Sequence, residues 1–183
     1  VVEERSDDTT GYFERGSIDP EGVAANRHHF FGELTMGSTY TSLHYHIVFS
    51  TKVRKNFIDL AWRQRLYQYL GGTIKGLEGI AESIGGVEDH VHLLVGLKPT
   101  HTLADFVREV KKSSSAWVHE EIGLRRFAWQ EGYSAFTVSP NARAGVRRYI
   151  ANQEAHHRRK TFTEELKELL TKAGIAFDPK YLE

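Results

Sequence analysis

From Thr39 to Thr51 the chain is rich in β-branched and aromatic residues and predicts a strand. The apolar positions then spread to helical spacing. Ile58, Trp62, Leu66, Tyr69 and Leu70 fall on one stripe, and Gly71–Gly72 are expected to loosen the end of that helix. Two short apolar runs, 77–86 and 89–97, meet at a glycine-containing turn and predict paired strands. Leu103, Phe106, Val107, Val110 and Trp117 make a second helical stripe, opened by Thr102 and Asp105 at capping-box spacing. Residues 133–139 predict a fourth strand. Ser139 and Pro140 then offer the cap and first turn of a third helix with the stripe Ala142, Val146, Ile150 and Gln153. Thr161 and Glu164 open a last helix carrying Phe162, Leu166, Leu169 and Leu170 and ending near Gly174. The order β-α-β-β-α-β-α-α predicts an α+β, ferredoxin-like fold, a mostly antiparallel sheet with helices on one face.

Residues 1–35 show neither periodicity. They hold eight acids against three arginines, a net of −5, and are expected to be disordered. Met36 is the one methionine and stands just before the first strand, so residues 1–35 read as a spurious extension and 36–183 as a single domain. The formal net charge of zero therefore conceals a basic body: subtracting the first 35 residues leaves 21 basic and 16 acidic residues. The cations cluster at Lys52, Arg54 and Lys55, at Lys111–Lys112, at Arg143, Arg147 and Arg148, and at Arg158–Lys160, a distribution that suits a polyanion. With no cysteine there is neither a disulfide nor a thiolate metal site. No apolar run is long enough to span a membrane and no signal peptide is evident, so a cytoplasmic protein is expected.

The candidate chemistry begins with two pairs of alternating histidines. In a strand, His90 and His92 point to one face while Val91, Leu93 and Val95 point to the other, which sets two imidazoles side by side. His44 and His46 form a second such pair, and spacing alone does not choose between them. Tyr149 and Gln153 are four residues apart and share a helix face. They read either as an aromatic covering the sheet or as a phenol nucleophile beside an amide ligand. Two imidazoles and a carboxamide would form a neutral ligand set with open positions, suited to Mg²⁺ or Mn²⁺ rather than to a closed Zn²⁺ site. His156 and His157 are alternative ligands or phosphate donors, but their place beside Arg158–Lys160 favours exposed helix-end histidines.

Three stretches taken together, 45–54, 88–97 and 149–160, resemble the single-tyrosine HUH transposases of small insertion sequences, the IS-two-hundred-like kind. The resemblance runs from about Tyr40 to the C-terminus and has no counterpart for residues 1–35. It assigns the metal-ligand places to His90 and His92 and leaves His44 and His46 outside the motif. It implies that Tyr149 is the nucleophile and that Gln153 joins the histidine pair around Mg²⁺ or Mn²⁺. It further implies a single-stranded DNA hairpin substrate, a 5′-phosphotyrosine intermediate, and a homodimer whose active site is completed in trans. Lys52, Arg54, Lys111, Lys112, Arg147 and Arg148 are the expected DNA contacts. The competing readings are a catalytically silent hairpin-binding protein and a phosphoesterase that uses activated water.

Overall fold

The computed structural model describes residues 40–182; the expectation for residues 1–35 lies outside them. Four strands are described: β1 (His44–Ser50), β2 (Ile80–Gly86), β3 (His90–Gly96) and β4 (Ser134–Thr137). They form one sheet in the order β2-β3-β1-β4, every neighbouring pair antiparallel. This is the ferredoxin-like arrangement expected.

Helices α1 (Leu60–Gly76) and α2 (Leu103–Trp117) cover one face. That face carries Ile47, Phe49, Val91, Leu93 and Val95, packed against Trp62, Leu66, Leu70, Phe106 and Val110. Helix α1 does not end at Gly71–Gly72. It runs one turn further because Ile74 continues the buried stripe, and burial of that side chain offsets the glycine cost. Thr102 stands at the start of α2, yet its hydroxyl donates to the Asp105 carboxylate rather than accepting from a backbone N–H. The helix continues into a π turn, Val118–Ile122, which stops at Gly123 in the left-handed conformation.

The opposite face is covered too, which the expectation of helices on one face did not include. Helices α3 (Arg143–Ala151), α4 (Gln153–His157) and α5 (Phe162–Lys172) lie there, α3 through Val146, Tyr149 and Ile150 packed on Leu94 and Val138. The expected Ser139 cap is absent: α3 begins at Arg143, and Ala142, with no side chain that can cap, stands in the N-cap position. Thr161 and Glu164 do form a complete capping box at the start of α5. Among the described residues no helix is long and apolar enough to cross a membrane.

Candidate active site

The β3 pleat sends His90 and His92 to the face opposite the apolar core, and both are fully buried there. Each has its Nδ1 atom held. His90 Nδ1 lies 2.7 Å from Asp89 Oδ1; a carboxylate only accepts, so Nδ1 carries the proton and the Nε2 lone pair is free. His92 Nδ1 lies 2.9 Å from His46 Nε2, reaching across from β1. With His92 protonated at Nδ1 and His46 accepting, Nε2 is again left free. Burial pulls the His46 imidazole down to about 3 and His92 down to about 4, so both rings are neutral at pH 7. His46 was assigned no part by the sequence, but it fixes the orientation of His92. His44 instead pairs with Glu82 at 2.9 Å.

Helix α3 reaches this face because β2 offers it a glycine. A Cβ on Gly85 would stand 2.3 Å from the Ile150 carbonyl oxygen, so any larger residue would push the helix away. Glu82 holds the same helix from outside, accepting from Arg143 and, at 2.9 Å, from Arg147. The helix breaks at Asn152, so Tyr149 and Gln153 belong to two helical segments, α3 and α4. Both nonetheless converge on one carboxylate oxygen. Tyr149 donates its phenol to Glu165 Oε1, and Gln153 Nε2 donates to the same atom at 3.0 Å. The Tyr149 ring stands edge-on to His92, centroids 5.8 Å apart. Burial, and then the Glu165 hydrogen bond, push the phenol well above its ordinary range.

Glu165 comes from α5 and is 2 % exposed. Its Oε2 atom faces the Nε2 atoms of His157, His92 and His90 at 3.2, 3.4 and 3.6 Å. Burial alone would raise this carboxyl, but the His157 imidazole and the Tyr149 phenol overturn that and hold it well below the carboxylate range. The expected exposed position of His157 is not found: the ring turns inward, 4.5 Å from that of His90. Burial would lower His157, and the facing carboxylate outweighs it and raises the ring. Glu165 carried no sequence signal beyond its place in an amphipathic helix, where an acid four residues past a cap looks like an exposed residue.

The buried atoms His90 Nε2, His92 Nε2, Gln153 Oε1 and Glu165 Oε2 have no hydrogen-bond partner. Orphaned buried polar atoms of this kind cost about 1–3 kcal/mol each. Ligand atoms of His90, His92, His157 and Glu165 all lie within 4.8 Å of one another, a span that a six-coordinate cation with bonds of about 2.1 Å closes with small shifts. The residues present therefore fit a divalent cation.

Of the expected DNA contacts, Lys52, Lys112, Arg147 and Arg148 are exposed, Lys112 lying 3.7 Å from Glu109. Lys111, Arg54 and Arg147 are engaged by the protein. The Lys111 ammonium caps the carbonyls of Gln130, Glu131 and Gly132, Arg54 donates to Thr163, and Arg147 is bound to Glu82. The cationic clusters were legible in sequence, but not which of their members fold inward.

A profile of the family described as "Transposase IS200 like" matches residues 39–153. Among curated proteins, the ISDra2 transposase TnpA of Deinococcus radiodurans is 28% identical over 130 residues, covering 66% of this chain and 91% of the relative. The transposase for insertion sequence element IS200 of Salmonella typhimurium is 26% identical over 127 residues, covering 66% and 83%. A crystal structure described as that of a transposase from Deinococcus radiodurans superposes with a TM-score of 0.54 at 27% identity, covering 64% of this chain and 95% of that one. The structure of a REP-associated tyrosine transposase bound to a REP hairpin shares the fold, with a TM-score of 0.51 at 15% identity over 65% and 71% of the two chains. With more than half its length matched by one family and the paired imidazoles, phenol and carboxamide gathered on one face of the sheet, the chain belongs to the IS200-like transposases.

Proposed function

We propose that this protein cleaves and rejoins single-stranded DNA at hairpin-bearing ends through a 5′-phosphotyrosine intermediate, with Tyr149 as nucleophile and Mg²⁺ or Mn²⁺ held by His90, His92 and Gln153. The observation that carries this reading is the convergence of the Tyr149 phenol and the Gln153 carboxamide on one oxygen of the Glu165 carboxylate whose other oxygen faces the free Nε2 atoms of both histidines. Tyr149 Oη gives up its proton to solvent as it bonds to phosphorus, the bond from phosphorus to the 3′-oxygen breaks, and the 3′-oxygen takes up a proton and leaves as a hydroxyl. The phosphodiester energy stays in the phosphotyrosine, so a second 3′-hydroxyl rejoins strands without a nucleoside triphosphate. A bound divalent cation would polarise a phosphoryl oxygen and offset the negative charge that opposes ionisation of the phenol. The chain itself orients the phenol through α3 and excludes water through Ile150 and Phe162, both buried.

Lys52, Lys112 and Arg148 are the surface cations offered to the DNA backbone. The test uses a hairpin oligonucleotide labelled 3′ of the cut. Label transfers to protein with Mg²⁺ and does not with Tyr149→Phe. A retarded but uncut complex with the wild type would instead mark a silent binding protein, and cleavage surviving Tyr149→Phe would mark activated water. Within the single chain Tyr149 lies beside its own His92, a cis arrangement rather than the expected trans one; the reading includes a homodimer that exchanges its tyrosine helices between this arrangement and the trans one. Mixing Tyr149→Phe with His90→Ala subunits then restores the adduct that neither forms alone.

A further inference from the structure

The three ligands of the proposed function, His90, His92 and Gln153, lie within the segment matched to the family, residues 39–153, whereas the buried acid of the cluster, Glu165, comes from beyond it. Helix α5 is set up to deliver that acid. The Thr161–Glu164 capping box fixes where the helix starts. Phe162, in its first turn, lies on the His90 ring with centroids 4.4 Å apart. Arg54 holds this end from β1's side, stacking 5.9 Å above the Phe162 ring and donating to Thr163. Leu170 is buried at the other end. One turn on from Phe162, the Glu165 side chain projects into the cluster, and its Oε2 atom stands without a hydrogen bond among the Nε2 atoms of His90, His92 and His157.

We infer that Glu165 is a further protein ligand of the divalent cation, so that the ion joins α5 to the sheet. This rests on the metal-dependent reading above and deepens it. Two imidazoles and a carboxamide carry no charge, whereas adding a carboxylate gives the site a full negative charge and a second hard oxygen donor, which Mg²⁺ and Mn²⁺ favour over an all-nitrogen set. A carboxylate facing the Nε2 lone pairs of His90 and His92 is poorly placed without a cation and well placed with one. Cation binding and docking of α5 are then linked: whatever loosens the helix weakens the ion, and the ion holds the helix down.

The test needs no DNA. Mn²⁺ is titrated into the full chain by calorimetry and by the loss of free-ion paramagnetic resonance signal, and hydrogen exchange is followed with and without the metal. Glu165→Gln keeps the shape and removes the charge. It is expected to weaken Mn²⁺ binding by about tenfold or more and to abolish the metal-dependent protection of α5. Glu168→Gln, on the same helix but paired with Lys160 at the surface, is expected to change neither. If Glu165→Gln fails to fold, Glu165→Asp, which withdraws the carboxylate by one methylene, should lower the affinity in the same direction. Affinity equal to or tighter than wild type in either folded variant overturns the inference, because Glu165 would then be a bystander or a competitor of the metal. Should His90→Ala lose Mn²⁺ while Glu165→Gln retains it, this inference falls and the proposed function stands. A wild type that binds no Mn²⁺ overturns both.

Discussion

The two faces of the sheet are made by the same two central strands and do different work. Toward α1 and α2, the side chains of Ile47, Phe49, Val91, Leu93 and Val95 interlock with apolar partners. Toward α3, α4 and α5, the alternate residues His46, His90 and His92 are just as buried but end in polar atoms, several of them unpartnered. Burial is equal on the two sides; satisfaction is not. The first face gives the stability that lets the second hold an unfavourable arrangement, and the two should fail in different ways when altered.

The sharpest separation is between loss of chemistry and loss of fold. Tyr149→Phe removes one oxygen from the polar face, and adduct formation with labelled oligonucleotide is expected to drop by about 10⁴-fold or more while the melting temperature hardly moves. Leu66→Ala, at a fully buried α1 position under the other face, is expected to cost about 2–5 kcal/mol. For a domain of this size that is a fall of several degrees in a thermal melt, and activity should be lost only with the fold. Gly85→Ala lies between these extremes. The added methyl would meet the Ile150 backbone, so an overpacking cost of about 1–3 kcal/mol is expected. It should fall on the placement of α3, reducing the adduct rate more than unfolding accounts for and leaving amide protection in β1 and β3 intact.

Acid should expose the polar face selectively. The ordinary imidazole value of 6.5 applies to the unfolded chain, while folded His46 and His92 stand near 3 and 4. Between pH 6.5 and about 4 the unfolded chain therefore binds protons that these buried rings refuse, and stability falls as pH falls. Each ring contributes a slope of at most about 1.4 kcal/mol per pH unit. His157, raised by Glu165, acts in the opposite sense and offsets part of it. Melts from pH 7 to pH 5 test the sign, and a His46→Gln variant should flatten the slope. The smallest effect belongs to the surface: Lys112→Ala should weaken hairpin binding modestly and lower the salt-dependence slope by about one unit, whereas Lys111→Ala should act mainly through stability, because its ammonium holds the 130–132 carbonyls.

Much of this architecture was legible in the sequence. Alternation in β1 and β3 told which side of each strand would be apolar, and the stripes of α1 and α2 told which side of each helix would meet it. Local rules failed where a longer-range contact outweighed them. Gly71–Gly72 did not end α1 because Ile74 was still to be buried, and Ser139 did not cap α3 because the chain turns through 140–142 before the helix begins at Arg143. His90, His92, Tyr149 and Gln153, singled out by periodicity and resemblance, lie together on the polar face. His46 was left outside the motif, His157 was read first as an exposed helix-end residue, and Glu165 was not singled out, since each looks ordinary beside its sequence neighbours.

What the sequence determined by itself is the set of side chains and the face each would take, because the repeat of a strand or helix is a property of the local backbone. What only the tertiary structure decided is which faces meet. The Gly85 gap that admits α3, the Arg54 and Phe162 contacts that seat α5, and the arrival of Glu165 among the imidazoles all join residues far apart in the chain. No local periodicity encodes such meetings; they are fixed by packing two helical layers on one sheet.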